Sequence, residues 1–112
     1  MASLSELQYD VQPLAKGFFQ LIQKYIPGLV VTSVYRSPVE QQRLYDQWIR
    51  GEKKDGLPVA KPGTSMHERR LAFDMARQGI PALTDPILPL LGYCWKLVGG
   101  RWNNSDPVHF SF

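Results

Sequence analysis

Pro62-Gly63-Thr64-Ser65-Met66-His67-Glu68-Arg69-Arg70-Leu71-Ala72-Phe73-Asp74 is the stretch on which the reading of this chain turns. A polar, turn-forming start gives way to residues 71–75, which read as a short buried strand carrying one aspartate among apolar neighbours. The stretch also holds one of only two histidines in 112 residues. The other, His109, lies in Ser105-Asp106-Pro107-Val108-His109-Phe110-Ser111-Phe112, where residues 109–112 read as a closing strand with Phe110 and Phe112 on one face. Both histidines therefore have an aspartate nearby, in segments that lead into or form strands.

Working outward, residues 11–26 have helical periodicity, with Leu14, Phe18, Leu21, Ile22 and Tyr25 on one face and Pro27-Gly28 as a stop. Residues 29–35 are rich in β-branched side chains and predict a strand. Ser37-Pro38-Val39-Glu40 is a helix start: serine caps, proline fits the first turn, and Glu40 can complete a capping box. That helix is expected to run through Gln41, Leu44, Tyr45, Trp48 and Ile49 to Gly51. Residues 52–63, punctuated by Gly56, Pro58, Pro62 and Gly63, read as a surface loop. A brief helix is expected over 87–91, weakened by Pro89, then a strand over 93–97 and a turn at Gly99-Gly100. Helices first and short strands later predict an α+β domain with a small, mainly antiparallel sheet flanked by helices.

The length suits one domain, residues 1–112, with a single core. No apolar run approaches the roughly 20 residues of a membrane span, so no transmembrane segment is expected. The first residues lack the basic start and apolar core of a signal peptide, so synthesis in the cytoplasm without a leader is expected. One cysteine, Cys94, excludes an internal disulfide; Gly-Tyr-Cys-Trp-Lys-Leu reads as a buried strand in which the thiol is inert. A formal charge of +3, from 13 basic and 10 acidic residues, is a mild bias toward anionic partners. Nucleic acid is not expected among them, because Trp48, Trp95 and Trp102 fall at helical or buried positions rather than alternating with basic residues on a sheet.

Two histidines and a carboxylate are a familiar ligand set for catalytic zinc, which keeps one position open for water. His67, Asp74 and His109 are the candidates for one Zn2+ ion. Asp106, three residues before His109, is the candidate base toward the water the ion holds. Seven residues of extended chain would span roughly 23 Å, so Glu68-Arg69-Arg70 must turn if His67 and Asp74 are to share an ion. On spacing alone each histidine can equally be a satisfied core or surface group, Asp74 a turn cap, and Asp106-Pro107 an ordinary turn dipeptide.

With these residues in view, the chain resembles the small zinc peptidases that cut bacterial cell-wall peptides. These are the D-Ala-D-Ala carboxypeptidases and dipeptidases of the vancomycin-resistance type, and the phage endolysins that cleave the L-alanyl-D-glutamate bond. Ser65, His67, Ala72 and Asp74 match the pattern Ser-x-His-x-x-Gly-x-Ala-x-Asp. Gly99, Gly100, Trp102, Asp106 and His109 match its closing element, and Ser33, Arg36, Gln41, Leu44 and Tyr45 match a third signature. The resemblance implies zinc on His67, Asp74 and His109 with Asp106 catalytic. It also implies that Arg36 stabilises the substrate carbonyl or transition state and that Ser65 hydrogen-bonds the substrate. Substrates would be peptidoglycan stem peptides, met at the cell wall after phage-type release, and a monomer is expected. One departure is Arg70 where the family has glycine; the expectation is a turn rebuilt around arginine rather than a strained one. The alternative function is a catalytically silent member that binds wall peptides or serves as a phage structural protein, favoured only by Arg70 and opposed by the intact Asp106.

Overall fold

Three strands pair antiparallel in the order in which they occur in the chain: β1 (Leu29–Ser33), β2 (Ala72–Arg77) and β3 (His109–Ser111). The computed structural model describes residues 2–112. Ala72, Asp74 and Ala76 point to one face of β2, and Phe73, Met75 and Arg77 to the other, as the two-residue strand period requires. Phe73 and Met75 are fully buried and build the core with Phe110 of β3. Two helices pack on it, α1 (Gln12–Gln23) through Phe18 and a C-terminal helix, Ile87–Leu97, through Trp95, and Leu4, Leu7, Leu29, Val34, Leu57 and Val108 complete the core. Trp95 lies 5.0 Å from Phe18 and 5.3 Å from Phe73 between ring centroids, and Phe73 stacks on Phe110 at 5.6 Å. The core thus fills one face of the sheet and leaves Asp74 on the other.

The helix α2 (Pro38–Ile49) starts as expected, with Ser37 Oγ accepting the Glu40 N–H at 3.2 Å. The Glu40 carboxylate turns outward to Arg43 instead of closing a capping box. On α1 the buried residues are Ala15, Phe18 and Ile22, while Leu14 and Leu21 are exposed, as is Tyr25, which falls in the turn beyond the helix end at Gln23. The apolar face is therefore offset from the expected one: the small Ala15 lets the helix approach the core.

Residues 93–97 are not a strand. Ile87–Leu97 is one continuous helix, α3, burying Leu88, Leu91, Gly92 and Trp95 at i, i+3, i+4 and i+7. Pro89 falls in its first turn, where the N–H it lacks has no intrahelical acceptor in any case. Asp85 Oδ1 accepts the Ile87 N–H at 3.0 Å and starts the helix. Cys94 is accordingly a half-buried helical residue rather than a strand residue.

The C-terminal segment is pinned by two tryptophans. Trp95 Nε1 donates to Ser111 O, and Trp102 Nε1 to Pro107 O, both at 2.9 Å. Each indole lies against a glycine, Trp95 on Gly100 and Trp102 on Gly92, where any Cβ would overlap the ring. These contacts hold Asp106 and His109 in place from behind.

Candidate metal centre

Strand pairing brings the first ligands together. Asp74 lies directly opposite His109 on β3 and, on its other side, opposite Ser33 on β1. Val31 pairs with Met75, so Thr32 is an extra residue on β1, and this bulge carries Ser33 from the core face to the face of Asp74. Ser33, Asp74 and His109 form a row across the sheet.

His67 arrives from a single helical turn. Glu68, Arg69 and Arg70 donate their N–H groups to Ser65, Met66 and His67 carbonyls, and Leu71 N–H reaches back to Met66 O at 3.0 Å. The last two bonds, with Arg70 in a left-handed conformation at φ 59°, make the Schellman arrangement that usually ends a helix on glycine. This is how a stretch of seven residues from His67 to Asp74 folds back on itself. The expectation of a rebuilt turn is therefore not met: the backbone is the one glycine would favour, and arginine occupies it.

Arginine is held there by its own contacts. Its guanidinium lies 4.0 Å from the Tyr35 ring centroid and Nη1 donates to Glu6 O at 3.0 Å. Its carbonyl accepts from Gln8 N, and Gln8 Nε2 donates to Arg69 O. Left-handed backbone costs a non-glycine residue roughly 1–2 kcal/mol. The ring contact returns about 0.5–1 kcal/mol, and the hydrogen bond about 1 kcal/mol. Arg70→Gly relieves the strain but loses both contacts and adds unfolded-chain entropy. Its melting temperature is expected to fall a few degrees below wild type, with Arg70→Ala lower still. Thermal melts that place Arg70→Gly above wild type would show that strain outweighs the contacts.

The three ligand atoms converge. His67 Nε2 lies 3.0 Å from Asp74 Oδ1 and 3.2 Å from His109 Nδ1, and His109 Nδ1 lies 3.4 Å from Asp74 Oδ1. Donors held about 2.0–2.1 Å from one tetrahedral ion stand about 3.3 Å from each other. The tautomer of His67 points the same way. Its Nδ1 is 2.7 Å from Val34 O, a carbonyl that only accepts, so Nδ1 carries the hydrogen. Nε2 is then the nitrogen that faces the Asp74 carboxylate oxygen inside the protein, where His67 is 2% exposed, and a cation shared between them, a proton or a metal ion, is what the pair calls for. These residues are able to hold a metal ion.

Electrostatics separate the two aspartates. Burial alone would push the Asp74 carboxyl up, but hydrogen bonds from His109 and His67 and the charges of His67 and Arg36 hold it well below the usual carboxylate range. Asp106 goes the other way: burial and the neighbouring Asp74 charge push it up, opposed less strongly by His109, His67 and Lys53. Asp106 Oδ1 is also buried with no hydrogen-bond partner among the described residues. An ionisable oxygen left unpaired beside a metal site suits a group that exchanges a proton.

A cleft of ≈ 590 Å³ opens over the three ligands, and Arg36, Ser65 and Asp106 line it too. Arg36 donates Nη2 to Asp74 Oδ2 at 2.9 Å, Nε to Ser33 Oγ at 3.1 Å and Nη1 to Gln41 Oε1 at 3.4 Å. Ser65 Oγ accepts the His67 N–H at 3.2 Å, which leaves its hydroxyl hydrogen for another acceptor. All the candidate site residues thus meet in one place. Sequence reasoning missed the buried Val34 carbonyl and Lys53, which also lines the cleft.

The family model described as VanY, D-alanyl-D-alanine carboxypeptidase, matches residues 4–87. The chain belongs to this family. The VanY match ends before His109, so that candidate ligand is brought beside the other two by strand pairing and lies outside the matched residues. No curated protein matches the sequence. Among solved structures, the chain is similar to a vancomycin-resistance D,D-pentapeptidase VanY from a VanB-type cassette, a variant in complex with Zn(II). TM-score is 0.70 and identity 22%, over 95% of this chain and 72% of that one. It is similar to the vancomycin-resistance D,D-dipeptidase VanXYg in complex with a D-Ala-D-Ala phosphinate analogue, at TM-score 0.69 and 23% identity over 95% and 50%. The LD-carboxypeptidase LdcB matches at TM-score 0.66 and 22% identity over 95% and 58%. These likenesses show the shared α+β fold of VanY-type peptidases.

Proposed function

We propose that this protein is a zinc peptidase that hydrolyses peptidoglycan stem peptides, with His67, Asp74 and His109 as the metal ligands. The observation that carries the reading is the 3.0–3.4 Å triangle of His67 Nε2, Asp74 Oδ1 and His109 Nδ1, the spacing of three donors on one tetrahedral ion. A zinc ion held there supplies Lewis acidity, polarising a peptide carbonyl and lowering the pKa of water to about 7.

The chain's own groups do the rest. Asp106, raised in pKa and unpaired at Oδ1, takes a proton from the attacking water and passes it to the leaving amine nitrogen. Arg36 anchors Asp74 through one N–H at Oδ2, and its role toward substrate is to stabilise the oxygen that gains charge with the N–H groups left over. Ser65 offers its hydroxyl to the substrate backbone. The silent-binder alternative rested on Arg70, yet the turn around Arg70 keeps His67 beside Asp74.

Digestion of purified cell walls with zinc-loaded protein, with and without chelator, tests the reading. Released D-alanine indicates carboxypeptidase action, and new N-terminal D-glutamate indicates L-alanyl-D-glutamate cleavage of the phage-lysis type. No released fragment at any zinc concentration overturns it.

A further inference from the structure

Deepening that reading, and resting on it, we propose that Lys53 is a specificity residue that binds a free carboxylate on the leaving side of the substrate peptide. Arg36 and Lys53 are the two cationic side chains lining the cleft. Arg36 commits three N–H groups to Asp74, Ser33 and Gln41, and the remainder are already assigned to the oxygen that gains charge. Among the described residues Lys53 is held by a single acceptor, Asp55 Oδ1, at 2.8 Å. An ammonium has three donors, so two remain for a ligand.

Lys53 is held in a shaped position. Its side chain is only 16% exposed although it comes from a loop without helix or strand. Asp55 Oδ1 also accepts the Leu57 N–H at 3.0 Å, and Leu57 and Val59 are buried. Gln41, itself 1% exposed, donates Nε2 to Ala60 O at 2.9 Å and ties the far end of the loop to α2. A lysine free to choose would extend into water to keep its hydration. Here it is folded inward to line the cleft that also holds Asp106. The three acidic groups of the cleft, Asp55, Asp74 and Asp106, are already placed, so an anionic ligand needs this cation.

The carboxylate is assigned to the leaving side from the chemistry of the two proposed substrates, with Lys53 and Asp106 lining the same cleft. A C-terminal D-alanine and a γ-linked D-glutamate both carry an α-carboxylate on the residue that provides the leaving amine. One residue therefore serves either cleavage.

The test uses Nα-acetyl-D-Ala-D-Ala and its C-terminal amide with zinc-loaded full-length protein. Binding is followed by chemical-shift perturbation and turnover by mass analysis in the same samples. Wild type is expected to bind the acid about tenfold or more tightly than the amide, as a charge-assisted bond to a carboxylate implies. Lys53→Met is expected to lose that preference and Lys53→Arg to keep it. Taking the acid-to-amide ratio within each variant cancels any effect of Lys53 on Asp106, because both ligands meet the same Asp106. Equal binding of acid and amide by wild type overturns the proposal, as does a Lys53→Met protein that keeps the wild-type ratio. Preferential binding of the acid without any turnover leaves the Lys53 site standing and sinks D-Ala-D-Ala carboxypeptidase action, whereas wall digestion that releases no fragment sinks the peptidase reading itself.

Discussion

Asp106→Asn is expected to keep one zinc per chain and to lose about 10²–10⁴-fold in kcat, the share that a positioned proton-transfer group supplies. Asparagine has the shape of aspartate, and Asp106 holds none of the three convergent ligand atoms, so the metal triangle should survive. Metal content by elemental analysis and turnover on wall peptides check the two halves separately. A variant that retains zinc and cleaves at the wild-type rate reduces Asp106 to a turn residue. The pH profile carries a second sign. Asp106 must be ionised to accept a proton, and its carboxyl is pushed above the usual range by burial and by Asp74. Wild-type activity should therefore be lost in acid as Asp106 becomes protonated.

Stability should move the opposite way. A carboxyl whose folded pKa lies above its unfolded value contributes most below the unfolded pKa, and that contribution is lost as pH rises through the folded value. With metal removed, Asp106→Asn should melt above wild type at neutral pH and equal to it near pH 3. A site that costs the fold something and repays it only in chemistry is the usual signature of a working group.

The parts of this fold legible in the sequence were those written in local chemistry. Ser37-Pro38 started α2, the β-branched run gave β1, and the two histidine segments marked the site. What was not legible depended on contacts distant in sequence. Residues 93–97 carry strand-like composition, yet Trp95 shares a helical face with Leu88 and Leu91, and the packing against Phe18 and Phe73 decides the matter. The buried stripe of α1 was misjudged because Ala15 counts for little by hydropathy and much by fit. The turn at Arg70 was misjudged for a related reason. The strain is local, but Tyr35 and Glu6, which offset it, lie 35 and 64 residues away. Nor could spacing reveal the β1 bulge, which places Ser33 beside Asp74 and so gives Arg36 its anchor.

Removing the metal is expected to have the largest effect on the fold. The ligands come from the 65–70 turn, β2 and β3, so one ion ties the middle of the chain to its end. Ligand bound only to the folded state stabilises by about 2.7 kcal/mol at a free concentration one hundred times its dissociation constant. In a domain of this size, roughly 1 kcal/mol shifts melting by about 4–8 °C, so chelation should lower the transition by about 10–20 °C. His109→Ala is the informative variant. His109 is the most exposed of the three ligands, at 27% for its side chain, so its loss opens no large cavity. Asp74 keeps its pairing with Arg36 in that variant, and His67 its bond to Val34 O. The protein should therefore fold, hold no zinc after desalting and melt at one temperature with or without chelator. Wild type that is equally indifferent to chelator would show that the triangle of donors holds a proton rather than a metal. The pH dependence of metal-free wild type then supplies an internal check. Asp74 sits well below its unfolded pKa, so its contribution is present above about pH 4 and is lost as pH falls through its depressed folded value. Metal-free wild type and His109→Ala should both weaken in acid, with His109→Ala losing less because one of the groups that depress Asp74 is gone.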